Sequence, residues 1–396
     1  MLHTVYRNPK LLLIVAVALS SVCIYAVIAV FHSLLPFQYI IYLTDAHHFL
    51  VDPRIAGYPF DFLRALGQFD AQWYLRIAAT GYPYHPIVTD MDDRTVMDGL
   101  TYAFFPLYPI IIAVLNTVIG KPELSAFIVS NVLIIVDALS LYHLVNGIYN
   151  TPIAVRTVLL LFAFPFSIFF RSYFAEGLQL FFIIWFCYFL LRNKYLFAAS
   201  ALALLNVTKG TSMLLNVLFI VYLGMHYAKH KITIRQIAMS LFIVAIPLST
   251  WIIYNGIQTG NPLYFYAIQQ SWDATPFYIH PVHNIETMLN LFRLPFNGFH
   301  YSFIHTLVAI YVFIFLMMSI KSLPPLIWWI GFLIWLTPFL SIDFTSFSRY
   351  QSVSFPLFIF LAQLFSSNKV FIPVLVISFA LLILVSLYFV NWYWIG

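Results

Sequence analysis

Charge is what this chain has least of. Only 8% of its 396 residues are Asp, Glu, Lys or Arg, while 62% are hydrophobic and the mean hydropathy is +0.91. Soluble domains carry roughly 25% charged residues, so the composition excludes a soluble protein and describes a polytopic membrane protein. The net charge of +5 does not signal nucleic acid, because the basic residues stand singly in short loops and form no dense patch to follow phosphates. Cysteine is nearly absent. Cys23 and Cys187 both fall inside apolar runs, which argues against a disulfide framework and against a thiolate metal site. Zinc-binding spacings and glycine-rich nucleotide loops are missing as well, which argues against a nucleotide-driven machine. No internal repeat or low-complexity tract interrupts the chain.

What is present is a series of apolar runs separated by short polar turns. The first, Leu11–Phe31, follows Arg7 and Lys10 and is long enough to span a bilayer, which needs about 20 residues. Without a small-residue cleavage site it reads as an uncleaved anchor with its basic end inside. The interval His32–Thr101 then holds eight of the fourteen acids, Asp45, Asp52, Asp61, Asp70, Asp90, Asp92, Asp93 and Asp98, and belongs outside. The apolar piece Tyr102–Gly120 is short and contains Pro106 and Pro109. If it spans, the basic clusters Arg192/Lys194, Lys229/Lys231/Arg235 and Lys369 all fall outside, against the positive-inside rule. It therefore reads as a juxtamembrane or re-entrant element, making 32–122 one external region. The remaining spans fall near 123–145, 153–170, 174–191, 195–208, 211–228, 235–256, 301–320, 324–342, 350–366 and 369–391, about eleven in all. A second external loop, 257–300, carries Trp272, Asp273, Glu286 and Arg293. The expected fold is one all-α domain over 1–396, with juxtamembrane helices in the first external loop. A break at Asn206–Gly210 reads as helix ends meeting within the membrane, tolerated where they line a cavity.

This topology puts several ionisable groups on the outer side. Asp70 opens a short amphipathic pattern in which Leu66, Phe69, Trp73 and Ile77 recur at helical spacing. Asp is also a favoured N-cap, so a capping and a chemical role both stand open for it. Arg171 and Glu176 share one turn, Lys209 sits in the membrane break, and Arg349 precedes a late span. Each cation alone is explained by snorkelling; three on the side where positive charge is avoided point to an anion held at headgroup level, most simply a lipid phosphate. Asp137 lies mid-span, with Asn131, Ser140 and His143 nearby; a carboxylate there is a functional suspect by default, but it reads slightly more readily as a protonated carboxyl bonding one helix to another. Asp90, Asp92 and Asp93 could gather a hard cation but read more readily as a solvated loop, and His47/His48 and His280/His283 as surface histidines. Asn206-Val207-Thr208 fits a glycosylation acceptor, although its apolar setting marks it as a chance match.

Several segments, in this order, resemble the GPI mannosyltransferase II (PIG-V-like) family and, more distantly, the GT-C membrane glycosyltransferases. They are Phe69-Asp70-Ala71-Gln72-Trp73-Tyr74 with Ile77-Ala78 and Gly81-Tyr82, Ala103-Phe104-Phe105-Pro106-Leu107-Tyr108-Pro109 and Ser172-Tyr173-Phe174-Ala175-Glu176. Thr208-Lys209-Gly210-Thr211, Gly260-Asn261-Pro262-Leu263, Arg349-Tyr350 and Phe355-Pro356-Leu357 follow. Together they run through most of the chain. The chain departs from the family at Gln68 and Phe69, where a basic residue and a tryptophan are usual, and at Lys209, where arginine is common. The resemblance implies a GT-C-like bundle that moves a sugar, mannose first, from a polyprenyl- or dolichyl-phosphate donor to a glycan or glycolipid acceptor. Asp70 would be the catalytic base, with Arg349, Lys209 and Arg171 on the donor phosphate. Glu176, Trp73, Tyr74, Gln72 and Tyr350 would contact substrate. The scheme requires no metal and leaves a divalent ion open. It places the site on the non-cytoplasmic side of a plasma or endoplasmic reticulum membrane. The rival from another class is a transporter or flippase for a lipid-linked sugar or organic anion. Transporters show paired repeats with matching broken helices, and the break at Asn206–Gly210 has no counterpart in the other half.

Overall fold

The computed structural model describes residues 8–44, 49–84, 99–269, 302–340 and 346–396. Helices carry the architecture, and no strand occurs among the described residues. In chain order they are α1 (Pro9–Phe31), α2 (Tyr39–Thr44), α3 (Phe62–Ala65), α4 (Asp70–Thr80), α5 (Leu107–Ile119) and α6 (Pro122–Asn146). Next come α7 (Thr151–Ala163), α8 (Glu176–Leu191), α9 (Tyr195–Asn206), α10 (Leu214–Ala228), α11 (Ile234–Thr259) and α12 (Tyr264–Ala267). The last are α13 (Ser302–Ser319), α14 (Pro325–Phe339), α15 (Phe347–Gln351), α16 (Phe355–Leu364) and α17 (Asn368–Phe389).

Five stretches are long and apolar enough to cross a bilayer: Pro9–Leu34, Pro122–Asn146, Gly210–Ala228, Ile234–Thr259 and Asn368–Phe389. Shorter apolar helices pack among them, and large apolar side chains such as Leu19, Val118, Phe242 and Val376 point outward. The protein is therefore a multi-pass helical membrane protein. Local signals start the helices where the sequence supplies them. Asn8 and Asn150 cap α1 and α7, each with proline in the first turn, and Thr233 with Gln236 forms a capping box at α11.

Two departures from the expected spans have local causes. The span expected at 153–170 stays α-helical only to Ala163, because Pro165 holds Phe164 in an extended conformation (φ −57°, ψ 138°). The chain continues as a tighter 3-10 turn over Pro165–Phe170. The late span expected from 350 is split: Arg349 rides on the separate short helix α15, and α16 restarts with Pro356 in its first turn. The second external loop, expected from 257, begins inside α11 and includes α12 before leaving the described residues.

At about 1.5 Å per residue, α5 is roughly 20 Å long, short of a bilayer core of about 30 Å. It folds back on α6 through Gly120, whose φ of +72° suits the tight turn. Tyr108 bonds to Ser130 at 3.1 Å and Ser125 to Asn116 at 3.4 Å, as in an antiparallel hairpin. The hairpin starts at the α9 break, where Leu107 N donates to Val207 O. This geometry fits a re-entrant element.

Short turns make successive helices alternate in direction. Tyr149 bonds to Ser322, Arg156 to Asn368, and Arg192 lies against Tyr188, which itself bonds to His143. The turns bearing Arg192, Lys321 and Lys369 therefore share one end of the bundle. The polar intervals 49–84 and 165–176, the α9 break, α15 and the segment 390–396 share the other.

Candidate active site

Four ionisable side chains from four stretches of chain meet at that second end. Asp70 opens α4, Glu176 opens α8, Lys209 follows the end of α9, and Arg349 lies in α15. Arg349 Nη1 donates to Asp70 Oδ2 at 2.7 Å. Its Nε lies 3.2 Å from Glu176 Oε1, a charge contact without hydrogen-bond geometry. Lys209 Nζ donates to the same Oε1. Two acids and two cations thus alternate in one array, buried except at its Asp70 edge.

The backbone explains how each arrives. Phe69, not Asp70, is the N-cap of α4, with φ 54° and ψ −126° and no capping side chain. Asp70 is the first helical residue, so the capping reading is corrected and its carboxylate goes to Arg349. Ser346, ahead of α15, is also left-handed (φ 71°). Positive φ is uncommon outside glycine and worth examining where it occurs; here it occurs directly before two of the four charged groups' helices. Glu176 benefits from the partial positive charge of the α8 N-terminus. Lys209 is extended (φ −160°, ψ 130°) where α9 stops. Asn206 and Asn216 exchange amide hydrogen bonds at 2.9 and 2.8 Å across this break, and Gln179 donates to Thr211 and Ser212 beyond it.

Accessibility separates the four. The Asp70 side chain is 27% exposed, against 11% for Lys209, 4% for Arg349 and 0% for Glu176. Asp70 is therefore the charge that a molecule arriving from outside meets, with the cations behind it. The Arg349 guanidinium lies 5.1–5.6 Å from the ring centres of Phe169, Phe174, Tyr350 and Trp394, distances at which aromatic faces attract cations. Its Nη2 donates to the Tyr350 hydroxyl at 3.3 Å, and Lys209 Nζ sits 4.9 Å from the same ring. Glu176 Oε2 is buried and has no hydrogen-bond partner among the described residues.

The other expected site residues lie around this array or away from it. Trp73 and Tyr74 are buried; Trp73 stacks on Phe104, and Tyr74 meets Phe104 and Tyr108 edge-on. Gln72 donates to Gly67 O and accepts from Leu50 N at 2.6 Å. These three brace the helix that carries the acid. Arg171 is fully buried, and its five N–H groups go to neutral oxygens: Ser21 and Ser20 of α1, Ser167 twice, and Phe162. No donor is left for a phosphate, so Arg171 is a tie between α1 and the 165–170 turn. Asp137 is fully buried opposite Gly177, and neither of its oxygens has a hydrogen-bond partner among the described residues. The interhelical bond expected of it is not formed.

Asp90, Asp92, Asp93, His47, His48, His280 and His283 lie outside the described residues. Among those described, no three His, Cys, Asp or Glu side chains group as a metal site would require. Sequence reasoning missed Phe169 and Trp394 beside Arg349. The available signal was the run Asn391-Trp392-Tyr393-Trp394 after the last span, whose aromatics resemble an interfacial belt.

Searches of the models of known protein families and of the curated proteins found no match to this chain.

Proposed function

We propose that this protein is a membrane glycosyltransferase of the GT-C type. It would transfer a sugar, mannose first, from a polyprenyl- or dolichyl-phosphate to a hydroxyl of a glycan or glycolipid on the non-cytoplasmic side. The observation that carries the reading is the partly open Asp70 in front of Arg349 and Lys209. A carboxylate that accepts a proton and cations that accept a phosphate are the two elements that sugar transfer from a lipid phosphate needs. The five long apolar helices, with shorter apolar helices packed among them, are compatible with such a membrane bundle. The basic turns at the opposite end support an external site.

In this scheme the acceptor hydroxyl gives its proton to Asp70 as its oxygen attacks the anomeric carbon. The bond from that carbon to the phosphate oxygen breaks on the opposite face, so the configuration inverts. Charge grows on the departing lipid phosphate, where Arg349 and Lys209 stabilise it. Arg349 would turn from Asp70 toward the phosphate, freeing the carboxylate as a base in the same movement. Glu176 keeps the two cations convergent, and its unpartnered Oε2 is available to a substrate hydroxyl. Arg171 has no part in this scheme, and no metal is called for.

The test is a donor screen: purified protein in lipid, radiolabelled polyprenyl-phosphate sugars and a mixed glycolipid acceptor. Label passing to the acceptor from one donor supports the proposal. No transfer from any donor, together with movement of the intact lipid-linked sugar across the bilayer, would replace it with a flippase.

A further inference from the structure

We infer that Trp394 is a positioning residue for the Asp70–Arg349 pair, acting on the acid through Phe69 and on the arginine directly. The inference deepens the catalytic reading of this cluster and rests on it only for its kinetic test.

The starting point is the backbone of Phe69. With φ 54° and ψ −126° it occupies a region that residues with a Cβ rarely adopt. No side-chain cap supports this conformation, so the ring's surroundings must hold it. The ring is buried among Phe389 (6.1 Å), Trp392 (5.0 Å) and Trp394 (4.8 Å, edge-on at 68°). The next residue is Asp70, and the direction in which Phe69 leaves its cage sets where that carboxylate points. On its other side Trp394 lies 5.3 Å from the Arg349 guanidinium. One indole therefore touches the residue that aims the acid and the cation that the acid pairs with.

The segment carrying Trp394 is fastened to the outer loop rather than loosely laid on it. Gln68, directly before Phe69, donates to Val390 O at 3.1 Å. Arg54 donates to Asn391 Oδ1 at 2.8 Å and to Val390 O at 2.7 Å. Trp392 Nε1 donates to Asp52 Oδ2 at 3.1 Å, and Asn391 Nδ2 to His32 O at 2.8 Å. Trp392 is itself left-handed (φ 63°), so the strap turns there before Trp394 reaches the charged pair. Gly396 then packs so closely on Phe169 and the Arg349 methylenes that an added Cβ would lie 2.6 Å from the ring.

Two double-mutant cycles test this. The first is independent of any reaction: melting temperatures of purified protein are measured for Asp70→Asn, Trp394→Ala and the pair. If Trp394 positions the ion pair, Asp70→Asn lowers the melting temperature in the wild-type background and adds little in the Trp394→Ala background. Trp394→Phe retains most of the coupling. An equal Asp70→Asn effect in both backgrounds overturns the inference. The second cycle is kinetic. Trp394→Ala lowers turnover at saturating donor by up to roughly a hundredfold, the scale expected of a small misplacement, with a smaller change in donor KM. Phe69→Gly alone also lowers turnover but adds little to Trp394→Ala, because the cage that aims the acid is already gone; equal Phe69→Gly losses in both backgrounds contradict the inference. If the wild type transfers no sugar, the functional reading fails, and the melting cycle alone decides the positioning role.

Discussion

Glu176 shows how strongly this site depends on single charges. It is fully buried, shares one oxygen between Lys209 and Arg349, and among the described residues has no donor on the other. Removing one member of a buried ion pair typically costs about 3–5 kcal/mol, because the partner stays buried and uncompensated. Glu176→Gln is therefore expected to lower the melting temperature markedly, whereas Asp70→Asn, at the partly solvated edge, costs less; a thermal-shift comparison of the two checks the order. Asp52 is a second case, in the outer loop. Burial alone would raise its carboxyl, but the hydrogen bonds and charge of Arg54, with a bond from Trp392, hold it below the usual carboxylate range. A carboxyl lowered in the folded state contributes stability above its unfolded value of about 3.9, and loses it as pH falls through the lower folded value. Acid titration of the melting temperature should show this loss in the wild type, and the corresponding step should be missing in Asp52→Asn.

At the level of helices, much was readable from the sequence. The ends of α6, α8, α11 and α17 follow from apolar length, and the start of α11 also from its Thr233 cap, because span length and cap chemistry are local properties. The stop of α7 at Ala163 needed only the effect of Pro165 on Phe164, a rule available in the sequence but outweighed by the apolar run. The meeting of Asp70, Glu176, Lys209 and Arg349 was legible only as a shared side of the membrane. Which cation faces which acid depends on helix rotation, and Arg171 shows the limit: one turn from Glu176, its side chain points to α1. The left-handed Phe69 carried no signal, since nothing in the residue itself favours that conformation. The Asn206–Asn216 exchange is the clearest element-scale device, closing the break that presents Lys209. Asn216→Ala leaves two amide groups of Asn206 without partners, at a cost of about 1–3 kcal/mol. It is expected to lower the melting temperature and to weaken use of the donor more than of the acceptor, as a titration of each substrate will show.

For the molecule as a whole, the two ends of the bundle are chemically unlike. Turns with Arg192, Lys194, Lys229, Lys231, Lys321 and Lys369 lie at one, and the mixed-charge array with its aromatic surround lies at the other. Cysteines placed at Arg192 or Lys229 are expected to resist impermeant maleimide applied to intact cells and to react once the membrane is opened; labelling in intact cells would invert the topology. The central claim is that Asp70 takes a proton during transfer of a sugar from a lipid phosphate. Its most direct test is the transfer rate of Asp70→Asn against wild type, measured at equal protein level in the same lipid with a saturating polyprenyl-phosphate sugar. Loss of general-base help of about 10²–10⁴-fold, with donor binding retained, is the predicted result. Turnover by Asp70→Asn equal to that of the wild type would contradict the account.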